Sequence, residues 1–297
     1  MKTSSAERES IDKDSRVDSI SGTHRVARME TSLRHGMRDA FAQLDHEPLR
    51  NMLLESLELE QGAMRTIHDS FAAFLRSKHA PEVRRRFFSS WQRTNNSAMS
   101  VEGLANRITL EAEAVANSDP ARALLMFRGG GRLNRVADED LGVGGQVLHF
   151  ELYYRMATAL TDGDDVWQSR EYCLASAAEF KTWLDSIRLR DPVISGLYSL
   201  LIHEGYTHAE LELIAPMFDR WATEVMGLSP RDARRVLAWI SVHIGGTEKA
   251  HFAHSCASLS HYCAGSGARI DLEAASNVFR TYLRKKAQVM EQLHDLY

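Results

Sequence analysis

The chain has 297 residues, a formal net charge of −4 and a charged fraction of 26%, which is ordinary for a globular protein. This balance argues against a protein that binds nucleic acid through a basic surface. Three cysteines without a C-x-x-C pair are too few for a disulfide framework, and no apolar run is long enough to span a bilayer. The first residues, MKTSSAERESIDKDSRVDS, lack the apolar core of a secretory signal, so a cytoplasmic protein without a membrane partner is expected.

Few prolines and a dense apolar pattern of helical period predict an all-α protein. Residues 1–25 are polar and are expected to form a disordered tail. Residues 26–80 are expected to form a helical arm, and residues 81–297 a bundle that carries the functional site. The arm is predicted to hold helices at about 29–45 and 48–77. The bundle is predicted to hold helices at about 81–94, 97–117, 120–138, 146–161, 166–188, 193–226 (kinked), 230–262 and 271–295. Capping residues before proline mark three helix starts, Asp119-Pro120, Asp191-Pro192 and Ser229-Pro230.

The second helix of the arm has an apolar stripe that needs a partner. We expect this stripe either to make a homodimer contact or to cap the core of its own chain. Its members are Leu53, Leu54, Leu57, Met64, Ile67, Phe71 and Phe74.

The stretch HEGYTHAELELIAP, from His203 to Pro216, is similar to the zinc-protease motif H-E-x-x-H but has different spacing. His203 and His208 are five residues apart, which places them about 140° apart on a helix, so they cannot bind one zinc ion together. Glu212 lies four residues before Pro216, which cannot donate to its carbonyl, so a kink is predicted there. A carboxylate in this apolar setting needs a cation. Glu204 and Glu210 are expected to face solvent or to pair with arginine.

The segment around residue 248 offers a second set of ligand-type residues. Glu248 and His251 are three residues apart and share a helix face, as the carboxylate and imidazole of dinuclear iron sites do. His243 lies about 80° off that face, and a one-residue bulge at Gly245-Gly246 would bring it into line. The alternative is that both histidines are core residues bonded to backbone carbonyls.

A third set follows the helix predicted at 120–138. The acidic run Asp138-Glu139-Asp140 precedes a glycine-rich loop, and His149 opens the next helix. The loop can fold Glu139 back beside His149. The alternative is a solvated acidic loop and a structural histidine.

Together these segments resemble the heme-oxygenase-like diiron oxidases and oxygenases, whose helical bundle is shared with thiaminase II and pyrroloquinoline-quinone synthase. In that family, N-x-x-(x)-D-E-x-G-x-G…H-x-x-L supplies the first glutamate and histidine, E-x-x-x-P a bridging glutamate, and H-x-x-x-(D/E)-x-x-H three further ligands. The matching residues here are Asn134, Asp138, Glu139, Gly142, His149 and Leu152, then Glu212 and Pro216, then His243, Glu248 and His251. One extra residue separates His243 from Glu248, and E-D-L-G replaces E-x-G, so Asp138 or Asp140 is an alternative to Glu139.

The resemblance implies an all-α, heme-oxygenase-like (thiaminase II-like) bundle with an N-terminal helical extension. It also implies two Fe(II) ions, with O2 as co-substrate. The implied metal ligands are Glu139, His149, Glu212, His243, Glu248 and His251, with Glu113 or Glu111 as an additional carboxylate. No catalytic residue beyond the ligands is expected. Candidate substrate-binding residues are Tyr153, Tyr206 and His208.

The implied function is an O2-dependent oxidase or oxygenase of a small molecule. The N-oxygenases of this family have an extra helical dimerisation segment, which the arm resembles, so N-oxygenation of an amine by a homodimer is expected, with an external electron donor as a further partner. The alternatives are oxidative C–C cleavage or desaturation at the same centre, a metal-free acid–base enzyme of the same fold, and a non-catalytic helical scaffold.

Overall fold

The computed structural model describes residues 33–95, 97–143, 147–244 and 246–297, without the side chains of Thr247 and Glu248. The predicted disordered tail, residues 1–25, lies outside these ranges. The described residues form α-helices joined by turns, short 3-10 segments and a π-helical segment at Trp221–Val225, so the predicted all-α class is confirmed. The helices are α1 (Leu33–Phe41), α2 (Glu47–Leu59), α3 (Gln61–Phe74), α4 (Pro81–Asn95), α5 (Ala98–Ala116), α6 (Pro120–Asp140), α7 (His149–Leu160), α8 (Ala175–Leu189), α9 (Val193–Arg220), α10 (Pro230–Val236), α11 (Ala238–His243), α12 (Gly246–Ser266) and α13 (Leu272–His294). None of them is both long and apolar enough to cross a membrane.

Two of the three predicted proline-associated helix starts have the expected cap. The Asp119 carboxylate accepts a hydrogen bond from the Arg122 amide, and the Ser229 hydroxyl accepts one from the Asp232 amide. These bonds satisfy amides that have no partner within the helix. The start of α9 differs, since Pro192 itself is the N-cap residue and supplies no side-chain cap.

Three long predicted helices are interrupted. The helix predicted at 48–77 divides at Glu60, whose backbone leaves helical geometry (φ −103°, ψ 24°). The Glu60 carboxylate is buried and accepts hydrogen bonds from Arg280 and Arg284 of α13, which a local pattern cannot reveal. The helix predicted at 230–262 is three helices, α10 to α12. The one predicted at 166–188 begins with 3-10 turns at Val166–Gln168 and Arg170–Tyr172 before α8.

Helix α9 is the central helix of the fold. It packs against α1, α5, α8, α12 and α13. The stretch from Gly196 to Leu211 is buried without interruption, so this part of the helix has no solvent face. Polar side chains on it therefore point into the protein, whichever side they occupy.

Helices α1–α3, the predicted arm, pack within the same unit as the other helices. Helices α2 and α3 lie against α13, and α1 lies against α9. Six of the seven stripe residues are buried and the seventh, Leu54, is partly buried against the core. The stripe therefore caps the core of its own chain, and the homodimer stays a prediction.

Candidate metal centre

Five helices bring carboxylate and imidazole side chains to one cavity of about 290 Å³. The C-terminal end of α6, the start of α7, the middle of α9, the end of α11 and the second turn of α12 meet there. Its polar wall consists of Asp140, His149, His203, Glu204, His243 and His251. The other lining residues are Gln92, Asn95, Ser97, Ala98, Met99, Leu141, Leu148, Phe150, Tyr153, Thr207 and Trp239.

Asp140, His149 and His243 form a tight cluster, in which one ligand atom from each lies within 4.8 Å of the others. His149 Nδ1 is 2.8 Å from Asp140 Oδ1, and His243 Nε2 is 4.0 Å from the same oxygen. Two ligands on one ion with bonds of about 2.1 Å lie about 3.0–3.4 Å apart. Small side-chain shifts would therefore let all three bind one ion.

The end of α6 sets the position of this acidic group. Gly142 has a φ of +66°, a left-handed conformation that favours glycine and ends the helix directly after Asp140. The amides of Gly142 and Val143 donate to the carbonyls of Glu139 and Asp138. The last turn of α6 is thereby fixed with its carboxylates beside α7. The other glycines of the predicted loop, Gly144 and Gly145, lie outside the described residues.

An interruption between two helices, rather than the expected one-residue bulge, positions His243. Helix α11 ends at His243, Ile244 is extended (φ −90°, ψ 149°), and α12 begins at Gly246. The two helices can therefore point independently, and His243 reaches the same cavity as His251 despite the extra residue in the motif.

The surroundings of His243 favour its neutral form. Its Nδ1 lies 2.6 Å from the Trp239 carbonyl oxygen, which can only accept, so Nδ1 carries the proton and Nε2, 4.0 Å from Asp140 Oδ1, is the basic nitrogen. Burial, and then the neighbouring His149, lower the pKa of His243 to about 4. The surroundings of Asp140 favour its charged form. Burial would raise the pKa of Asp140, but the hydrogen bond from His149 and the three nearby imidazoles together lower it.

A second group of donors surrounds His251, which is 1% exposed. Its Nε2 is 3.0 Å from Glu139 Oε2, and its Nδ1 is 3.6 Å from Glu204 Oε2. Glu204, expected to face solvent or pair with arginine, is 4% exposed, lines the cavity and forms no ion pair with arginine among the described contacts.

The predicted bridging ligand, Glu212, lies elsewhere. It is half-buried, is absent from the cavity wall and interacts electrostatically with His208. Glu204 and Glu212 are eight residues apart on one helix, so they lie about 12 Å apart along its axis and about 80° apart around it. The structure thus places Glu204, and not Glu212, among the other candidate ligands.

The predicted additional carboxylate is not at the cavity. Glu113 is exposed on α5, and so is Glu111, which accepts a hydrogen bond from the Tyr262 hydroxyl. The Glu248 backbone belongs to the first turn of α12, but its side chain lies outside the described part of the chain.

Of the predicted substrate-binding residues, Tyr153 alone lines the cavity. Its hydroxyl donates to the Phe88 carbonyl. Tyr206 is fully buried and donates to Glu210. His208 is 8% exposed and is absent from the cavity wall, whereas His203 belongs to it, as two histidines on different faces of a helix should.

A buried ion pair behind the cavity was not predicted. Lys286 and Glu210 are both fully buried, 3.2 Å apart. Lys286 also donates to Thr94 and Asn95, and Asn95 lines the cavity. Glu210 was expected at the surface or beside an arginine. This part of α9 is completely buried, so Glu210 cannot lie at the surface.

The donor set fits a transition-metal site. Three carboxylates (Glu139, Asp140, Glu204) and three imidazoles (His149, His243, His251) form a mixed oxygen and nitrogen set, which suits Fe(II), whereas a structural zinc site closes with four ligands. Six donors shared between two ions leave coordination positions open. A metal-free cluster of this kind would also keep its carboxylates close together at the cost of repulsion, which a cation relieves.

No protein family model and no curated protein matches the chain. Among solved structures, a TenA homolog from Pseudomonas syringae pv. tomato str. DC3000 is similar with a TM-score of 0.58 and 12% identity, over 86% of this chain and 93% of that one. A CADD-like protein of unknown function from Nostoc punctiforme PCC 73102 gives a TM-score of 0.46 and 15% identity, over 88% and 95% of the two chains. At these identities likeness establishes fold and not activity. The chain has the heme-oxygenase-like, TenA-like helical fold that its sequence predicts.

Proposed function

We propose that this chain is a non-heme diiron enzyme, an O2-dependent oxidase or oxygenase that acts on a small amine. The observation that supports this most is the meeting of two carboxylates and three imidazoles at one cavity, with a third carboxylate, Glu139, 3.0 Å from the His251 imidazole. A helical scaffold has no need for such a costly buried arrangement.

Each side chain has a defined task in this proposal. Asp140, His149 and His243 hold one ion, and Glu139, Glu204 and His251 hold the other. The bound iron supplies O2 activation and the oxidation of the substrate. The Trp239 carbonyl keeps His243 in the tautomer that binds metal. Burial of His251 and Glu204 excludes bulk water from this end of the cavity.

The rest of the cavity suits a small substrate. Its volume of about 290 Å³ is at the small end of ligand sites. Gln92 and Ser97 offer hydrogen-bond acceptors to an amine, and no lysine or arginine is among the described lining residues to compete with it. Met99 and Phe150 are 63% and 42% exposed and so mark the mouth, where an apolar substituent would lie.

Anaerobic Fe(II) titration of the chelated protein tests the proposal. We expect two equivalents to bind, and O2 added afterwards to be consumed with a transient optical change. His149→Ala should abolish binding of one equivalent, whereas His68→Ala, which removes an exposed histidine of α3, should retain both. Binding of no iron, or equal behaviour of the two variants, would refute the diiron site.

The strongest alternative is a metal-free acid–base enzyme of the same fold. The imidazole of His251 lies between two carboxylates, as an imidazole that transfers protons often does. Such an enzyme would keep its activity in chelator. Oxidative C–C cleavage or desaturation would use the same two ions, and product analysis separates these reactions from N-oxygenation.

A further inference from the structure

The outer surface of α6 and α12 is basic, although the chain is net negative. Apart from the acidic residues at one end of each helix, 138–140 and 248, the two helices contain four arginines, one lysine and no aspartate or glutamate (residues 120–137 and 249–266). An even distribution of the 40 acidic residues would place several there. Charge of one sign gathered on one face is a feature of docking surfaces.

Three of the arginines share one side of α6. Arg128, Arg132 and Arg135 are exposed and lie within about 60° of each other around the helix. On α12, His254 and His261 are seven residues apart and so lie on one face, and Arg132 Nη1 is 3.5 Å from His254 Nδ1. These five residues are called the basic face below.

The imidazoles of the basic face add little charge. Burial, and then the nearby Arg132 and Arg128, lower the pKa of His261; burial and Arg132 likewise lower the pKa of His254. Both histidines are therefore mainly neutral at pH 7, and the arginines supply the charge. These electrostatic effects also indicate that the arginines lie near the α12 histidines.

Few carboxylates are available to neutralise this face. Glu139 lies 3.6 Å from Arg135. Glu111 is bonded to Tyr262, and Asp45 acts on Cys256, which lies about 160° around α12 from His254. Arg128 and Arg132 form no ion pair with a carboxylate among the described residues.

The two helices form a rigid support. The Ser258 hydroxyl donates to the Gly129 carbonyl, and the Arg122 guanidinium donates to the carbonyls of Gly265 and Ser266. A Cβ at Gly265 would lie 2.7 Å from the Arg122 carbonyl oxygen, so the backbones are in close contact. A preformed face loses little conformational entropy when a partner binds.

The basic face is next to the candidate metal centre. Arg135 contacts Glu139, and His254 is three residues, one helical turn, from His251. Both inner residues are candidate ligands. An electron carrier docked on this face would thus be separated from the metal centre by a single layer of side chains.

We propose that the basic face docks a small acidic electron-carrier protein of the ferredoxin or flavodoxin class, which supplies electrons to the site; this rests on the proposed function. N-hydroxylation needs them, since RNH2 + O2 + 2 e⁻ + 2 H⁺ gives RNHOH + H2O. One oxygen atom goes to nitrogen and the other to water. The two electrons come from reduced carrier, which is oxidised. Leu124, 52% exposed one turn before Arg128, favours a protein partner over a nucleic acid or membrane headgroups.

Binding to the metal-free, full-length protein tests this without relying on activity. Oxidised plant-type [2Fe–2S] ferredoxin and a flavodoxin are titrated calorimetrically at about 20 mM salt, where charge attraction is weakly screened. We expect Arg128→Glu/Arg132→Glu to weaken binding of at least one carrier by about tenfold or more, and added salt to weaken the wild type similarly. The matched control is Arg231→Glu/Arg234→Glu, an equal charge change at exposed sites of α10, and should stay within about twofold.

Equal weakening by both double variants would mean that only net charge matters and would overturn the proposal. Absence of binding by both carriers would overturn it too. If phosphatidylglycerol vesicles or a DNA duplex bind and the carriers do not, the face belongs to a polyanion instead. Since the protein in this titration is metal-free, failure of the diiron proposal would leave a positive result standing, and loss of carrier binding would leave the iron titration unaffected.

Discussion

Replacement of Glu204 by glutamine separates the ligand that the structure indicates from the one that the sequence pattern favours. Glu204 is 4% exposed and its Oε2 is 3.6 Å from His251. Glu212 is half-buried and absent from the cavity wall. Glutamine keeps the size and hydrogen-bonding ability of glutamate and removes only the charge and an anionic ligand. Both substitutions can therefore be compared in folded proteins.

The expected magnitudes differ widely. Loss of a partner that merely orients a metal ligand costs about 10–100-fold in metal affinity. Glu204 lies among the ligands themselves, so Glu204→Gln should cost about 100-fold or more, which corresponds to about 2.7 kcal/mol. Glu212→Gln changes a charge outside the cavity, and solvent screening should limit its effect to about threefold.

Competition titration with a calibrated chelator, performed anaerobically with Fe(II) or Co(II), measures these affinities. Urea unfolding of the metal-free variants checks that both remain folded. A large loss for Glu212→Gln together with an unaffected Glu204→Gln would refute the assignment and restore the ligand set of the family pattern.

Three further predictions concern the metal-free protein. Lys286→Met leaves the Glu210 charge buried and should lower the free energy of unfolding by about 3–5 kcal/mol, whereas adding Glu210→Gln should recover part of it; strictly additive losses in urea denaturation would contradict the buried pair. The pKa of His243 is lowered to about 4, against 6.5 in the unfolded chain. The contribution of His243 to the free energy of unfolding is therefore fully present above about pH 6.5 and is lost as the pH falls towards 4. Between pH 6.5 and pH 5 this loss is about 2 kcal/mol. His243→Gln should remove that part of the pH dependence of the free energy of unfolding. An unchanged slope of unfolding free energy against pH in this variant would disprove the prediction. Gly265→Ala should destabilise by about 1–3 kcal/mol because its Cβ meets the Arg122 carbonyl at 2.7 Å, while Gly131→Ala, with open space around it, should not; equal melting temperatures of the two variants would count against the tight α6–α12 contact.

The helices themselves were largely predictable, because periodicity, proline and caps act over a few residues. The starts of α6 and α10 follow from Asp119-Pro120 and Ser229-Pro230 alone. The break at Glu60 could not be foreseen, since its partners Arg280 and Arg284 lie over two hundred residues away.

The site was predictable as a set of segments and less so as a set of side chains. Glu139, His149, His243 and His251 were identified from their spacing and from the family pattern that they resemble, and the structure places them together; their role as ligands stays a prediction. Asp140 was an open alternative, and it lies 2.8 Å from His149. Sequence order alone cannot decide between adjacent carboxylates, because one residue rotates a side chain by about 100° around the helix.

The choice among the acidic residues of α9 needed the tertiary structure. Pro216 made Glu212 conspicuous, but proline affects only the backbone near it. The local sequence offered no reason to expect Glu204 or Glu210 in the interior. Because α9 is buried on all sides, Glu204 lies beside His251 and Glu210 beside Lys286.

The sequence by itself thus determined the helical class and the regions rich in ligand-type residues, since these depend on local spacing. Only the tertiary structure decided which carboxylates face the cavity, that the arm's stripe caps its own core, and that Lys286 pairs with Glu210. Those outcomes depend on how helices distant in sequence pack against α9, and no local pattern carries that information.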